Sequence, residues 1–115
     1  MSFKIITVTV EQLPNSAGTE DYVVPANTVA QILQCNVTNE DTTNETFSIH
    51  IAAAGAATAV TNLYIDAKPV AAGQTDLCPE LVGMWLDTTD DITAFCSTAA
   101  KCNMRLSIKE VPQAD

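Results

Sequence analysis

Four cysteines (Cys35, Cys78, Cys96 and Cys102) and one histidine (His50) are the residues of this 115-residue chain most suited to metal binding or nucleophilic chemistry. No two cysteines stand at C-x-x-C spacing, and His50 is remote in sequence from all of them. That spacing gives poor support for a zinc site. Cys96 and Cys102 could lie close across a hairpin, which leaves a disulfide open. In a cytoplasmic product, free thiols packed as small hydrophobes are the favoured expectation. His50 falls on the polar side of an alternating segment and is expected as a surface residue rather than a general base.

Carboxylates are plentiful. Asp87, Asp90 and Asp91 crowd one turn, and Glu20 and Asp21 form a second acidic pair. Calcium binds acidic loops, but the turn lacks the alternating acid–Gly–Glu pattern of an EF-hand. Asp also favours turns for local reasons, so a solvated turn is expected. No spacing singles out a carboxylate pair for glycoside hydrolysis, and no nucleophile elbow, P-loop or dinucleotide fingerprint occurs. Asn36-Val37-Thr38 and Asn44-Glu45-Thr46 match the N-glycosylation pattern, which carries weight only in a secreted chain. Trp85 and Tyr64 could stack on sugars, although a core or interface role is the plainer expectation. The expectation is a non-enzyme with no catalytic, cofactor-binding or metal-binding residue and no cofactor.

Net charge is −9, from 14 acidic and 5 basic residues. Phosphate binding needs Lys and Arg, so neither nucleic acid nor an anionic membrane is an expected partner. No apolar run reaches the roughly 18 residues of a transmembrane helix. The segment Met1 to Val10 alternates and shows no small-residue cleavage site, so no signal peptide is expected.

The elements that must position these groups read as strands. Hydrophobic residues make up 47% of the chain but aromatics only 5%, so the apolar mass is Val, Ile, Leu and Ala. β-branched residues suit pleated, half-buried surfaces. Period-2 alternation is strongest in three segments. Leu33, Cys35 and Val37 share one face, as do Phe47, Ile49 and Ile51, and then Cys102, Met104, Leu106 and Ile108. Weaker strands are expected at Lys4 to Val10, Tyr22 to Val24, Leu63 to Ile65, Thr75 to Cys78, Gly83 to Leu86 and Asp91 to Ser97. The turn between Ile65 and Thr75 holds Pro69 and Gly73. Asn39 to Asn44 reads as a hairpin loop and Ala52 to Ala59, with Gly55, as a small-residue loop. This predicts one all-β domain, an antiparallel β-sandwich of jelly-roll or immunoglobulin-like form over residues 1–111, with 112–115 a flexible tail. Its expected core is Leu33, Val37, Phe47, Ile49, Ile51, Ile92, Met104, Leu106 and Ile108.

From Tyr22 onward the chain resembles small β-sandwich virion proteins of tailed bacteriophages. The matching stretches are Val24-Pro25-Ala26-Asn27-Thr28, Asn36-Val37-Thr38-Asn39, Asn62-Leu63-Tyr64-Ile65, Val70-Ala71-Ala72-Gly73-Gln74-Thr75, Asp90-Asp91-Ile92 and Leu106-Ser107-Ile108-Lys109-Glu110-Val111. These are strand and turn signatures over residues 22–111. The four cysteines and the Ala-rich stretch near Ala53 depart from the pattern. The resemblance implies a capsid cement (decoration) protein made in the host cytoplasm. It would bind the major capsid protein on the virion surface as a trimer or dimer. A tail, neck or fibre component and a carbohydrate-binding module are the alternatives. The loops Asn39 to Asn44 and Ala52 to Ala59, with the N-terminal segment, are the expected contacts.

Overall fold

Alternating apolar and polar side chains give nine strands among the residues that the computed structural model describes, 3–10, 12–18, 21–53 and 56–113. Glu20, Gly55, Ala114 and Asp115 lie outside the described residues, as do the side chains of Val8 and Val10. The strands are β1 (Lys4–Val10), β2 (Tyr22–Val23), β3 (Thr28–Asn39), β4 (Glu45–Ala52), β5 (Leu63–Val70), β6 (Thr75–Asp76), β7 (Trp85–Leu86), β8 (Asp91–Cys96) and β9 (Cys102–Pro112). A 3₁₀ turn, Val60–Asn62, precedes β5.

The first sheet runs β1-β9-β3-β6, with β7 also paired to β3, and the second runs β2-β8-β4-β5. Every pairing is antiparallel. Successive strands mostly cross from one sheet to the other. The expected antiparallel sandwich is therefore present, and the interleaved order is that of a jelly roll rather than an immunoglobulin fold.

One hydrophobic cluster joins the two inner faces. Val37, Met104, Leu106 and Ile108 enter it from the first sheet, and Phe47, Ile49, Ile51 and Ile92 from the second. Burying each such side chain contributes about 1.5–3 kcal/mol. Leu33 is the exception among the expected core residues, at 37% exposure. A β-bulge between Ile32 and Gln34 breaks the period. It sends Ile32 and Cys35 inward and leaves Leu33 and Gln34 outside.

Four further expectations are corrected. The outward side of β4 is not wet, since Ser48 and His50 are buried. Register shifts near Phe47, Ile49 and His50 bend β5, and Phe95 and Asn62 pack against the imidazole. Ala67 takes a φ of +46° in that bend, and its N–H donates to Ser48 Oγ at 2.9 Å. Pro69 belongs to β5 rather than to a turn, on an edge strand where a missing N–H is tolerated. Asn39 is the last residue of β3, not the start of a loop, and is fully buried. Pro112 closes β9 opposite Thr28, and the Gln113 N–H donates to Asn27 O at 2.7 Å, so the expected tail does not begin at Pro112.

Candidate functional site

Several titratable groups are engaged in holding the fold. His50 stacks on Phe95 at 5.9 Å between centroids, and its Nδ1 lies 2.8 Å from Asn62 Oδ1. That oxygen can only accept, so the imidazole carries its proton on Nδ1. The Asn62 amide donates to Ala57 O at 2.9 Å, so the His50 bond ties an internally braced loop to β4. Asp90 Oδ2 accepts the Asp87 N–H at 2.9 Å, so part of the acidic turn is spent on its own backbone. Asp21 Oδ2 accepts the Ala94 N–H at 2.8 Å. Burial nevertheless raises the Asp21 carboxyl above its ordinary value, with the Ala94 bond opposing the shift. Glu45 accepts from Ser97 Oγ at 2.6 Å. Tyr22 Oη donates to Glu110 at 2.6 Å, and Lys4 reaches the same carboxylate at 3.5 Å. Burial, then the bond to Glu110, keeps the Tyr22 hydroxyl protonated far above its ordinary range. Among the described residues no three His, Cys, Asp or Glu side chains gather where a metal ion could be held. No helix of the described residues is long and apolar enough to cross a membrane.

All four cysteines are buried free thiols. They lie as two pairs in side-chain contact, Cys35 with Cys78 and Cys96 with Cys102. Cys96 and Cys102 are neighbours across a connection between the two sheets rather than across a hairpin, and the Cys35–Cys78 partnership was not visible in the spacing.

The surface that the fold leaves unexplained is the outward face of the first sheet. Ile5 pairs with Lys109, Lys109 with Gln31, and Gln31 with Trp85. This register lays one row of side chains across β1, β9, β3 and β7. Lys109 Nζ sits 5.3 Å from the Phe3 ring centroid and 5.7 Å from that of Trp85. Cation–π attraction at such distances holds the two aromatics apart at fixed positions. Phe3, Ile5 and Trp85 are each more than half exposed. Leu33 and Val82 add to the exposed apolar area. Beside Phe3, a hollow of about 260 Å³ is lined by Phe3, Lys4, Pro25, Thr28, Glu110 and Pro112. Two of the five basic residues, Arg105 and Lys109, take outward positions of β9, whereas Lys4 pairs with the buried Glu110 at the edge of the inner face. The face is therefore apolar and cationic on an acidic protein. It offers contact rather than bond-making chemistry.

The other sequence candidates are dispersed. Trp85 and Tyr64 are both exposed but sit in different sheets, each outward, so they form no common platform. Asn36 lies opposite Arg105, and Asn44 accepts the Ala72 N–H at 3.2 Å. The loop after β3 is pinned by Asn39, whose amide donates to Thr43 O at 2.9 Å and Val70 O at 3.0 Å. Of the expected contact segments, the N-terminal one contributes to the exposed face.

No family model matches this chain, and no curated protein matches it. The architecture defines an all-β jelly-roll protein. A solved chain with a similar fold comes from Bacillus endospore appendages, described as a novel family of disulfide-linked pili. The match covers 98% of this chain and 88% of that one, with a TM-score of 0.57 and 14% identity. At that identity the likeness is one of fold.

Proposed function

We propose that this chain is a non-enzymatic structural protein of a virus particle, a capsid cement protein of a tailed bacteriophage. It binds the shell of major capsid protein through the outward face of the first sheet. The observation that carries the reading is the exposed row built on Phe3, Lys109 and Trp85. Exposed aromatic anchors beside a cation are the usual hot spots of protein interfaces. The virion context rests on the resemblance of residues 22–111 to phage β-sandwich proteins. Jelly rolls are also used by viral capsid domains, which supports the reading by fold-level analogy. A rigid sandwich loses little conformational entropy on docking, and a symmetric shell repeats the same contact many times. Imaging of native particles tests this. Many copies spread over the shell are expected; a few copies at the neck, tail or fibres would move the protein to that part of the virion.

A second reading is a self-assembling filament subunit, favoured by the fold likeness to the pili of endospore appendages. In that case the purified chain alone would sediment as polymers, whereas a cement protein would not.

A further inference from the structure

We infer that Cys35–Cys78 and Cys96–Cys102 are two sites of intramolecular disulfide formation, each held ready to close when the folded protein meets an oxidant. This goes beyond the proposed function and does not depend on it.

The first pair follows from register. β3 and β6 align Val37 with Asp76 and Thr38 with Thr75. The ladder ends there; extended by two residues beyond β6, the same register would bring Cys35 opposite Cys78. Opposed residues of antiparallel strands have Cα atoms about 4.5–5.5 Å apart. That lies inside the range of about 4.4–6.8 Å that disulfides span. Cys78 takes a φ of +46°, and its N–H donates to Asp76 Oδ2 at 2.9 Å. This local bend leaves Leu77 exposed and the Cys78 thiol fully buried against that of Cys35.

The second pair spans the sheets. Cys96 ends β8 in the second sheet, and Cys102 opens β9 in the first. Both are anchored on one dipeptide. The Leu13 N–H donates to Cys102 O at 2.8 Å, and the Cys96 N–H donates to Pro14 O at 2.8 Å. Leu13 itself is buried, so the anchor is fixed. The shared anchor and the burial of both side chains place the two thiols as neighbours at the end of the sandwich.

Burial dictates partner choice. The four cysteines are 0–1% exposed, so the neighbouring thiol of the same chain is the partner within reach, and a small oxidant gains access only when the fold opens locally. Each closure breaks two S–H bonds and forms one S–S bond. A low-molecular-weight disulfide accepts the two electrons and, with two protons, is released as two thiols. Attack requires the thiolate. Burial first, and then the neighbouring Cys96, push the Cys102 thiol up to about 12. Closure is therefore slow at neutral pH and faster in alkali. A chain folded with free thiols in a reducing cytoplasm would acquire its bridges after release.

The test uses the full purified chain, incubated with oxidised glutathione and compared with a sample kept in reductant. Fragments cut after acidic residues and after lysine are then mapped without reduction. The expected result is loss of four hydrogens per chain, bridges at Cys35–Cys78 and Cys96–Cys102, and a monomer mass. The melting midpoint should rise by roughly 10 °C or more, since each bridge restricts the unfolded chain. The double variants C35A/C78A and C96A/C102A should each keep the other bridge and part of the rise. Mixed pairings, bridges between chains, or four thiols that stay reduced after prolonged oxidation at pH 9 would overturn the inference. If one double variant does not fold, the map of the parent still decides.

Discussion

Tyr22 on β2 and Glu110 on β9 are joined by a 2.6 Å hydrogen bond that ties the second sheet to the first. Both residues are buried, and Lys4 closes over the carboxylate from the solvent side. A buried carboxylate is costly unless it is hydrogen-bonded. The bond therefore both links the sheets and makes burial of Glu110 tolerable. Tyr22→Phe keeps the ring and removes the donor. It should destabilise the fold by about 1.5–3 kcal/mol, the range for hydrogen bonds to charged groups. Denaturant unfolding measures this, and Tyr22→Phe with parental stability would mean the bond contributes nothing.

Ile49 is fully buried at the centre of β4. Ile49→Ala should cost on the order of 2–5 kcal/mol, from lost transfer energy and the cavity left behind. A much smaller loss in chemical denaturation would mean that the two sheets close up around the gap.

Asp21 predicts a pH dependence. Burial holds its folded-state carboxyl above the unfolded value of 3.8. The ionised form is therefore disfavoured in the folded chain. That penalty is present above the folded value, relieved as pH falls through it, and absent below the unfolded value. Asp21→Asn retains an acceptor for the Ala94 N–H. It should raise the melting midpoint at pH 7, with the gain fading toward pH 3. Asp66→Asn, which removes the same charge at an exposed position of β5, is the control for net charge. Equal shifts for the two variants at every pH would remove burial as the cause.

The sandwich was legible in the sequence because three segments alternate cleanly, and eight of the nine expected core residues are buried. Leu33 was misplaced because Ile32-Leu33 reads equally well in either phase, and a bulge chooses the phase through pairing with β9. His50 was expected in water because alternation describes one strand and cannot show that Phe95 of β8 and Asn62 of the 3₁₀ turn cover it. Asn39 looked like a loop residue because its two carbonyl partners, Thr43 and Val70, include one 31 residues away. The outward face of the first sheet joins Trp85 of β7, Lys109 of β9 and Phe3, which precedes β1, from positions distant in sequence. No spacing rule could have brought them together, although Phe3 and Trp85 are exposed aromatics of interface-forming type.

Docking through that face makes Trp85 its anchor. Trp85→Ala removes an exposed ring and no core contact, so the fold should keep its stability within about 0.5 kcal/mol. Binding to the shell should weaken at least tenfold, the loss expected when an interface anchor is truncated. Salt should also weaken binding of the parent if Lys109 and Arg105 meet carboxylates on the partner.

The most direct measurement is the temperature at which shells of the major capsid protein, stripped of this chain, come apart with and without it at saturation. Binding to the assembled shell but not to free subunits stabilises the shell by mass action. The disruption temperature should rise with the parent protein and stay at the bare-shell value with Trp85→Ala. Equal disruption temperatures with and without the parent at saturating occupancy would contradict the cement role.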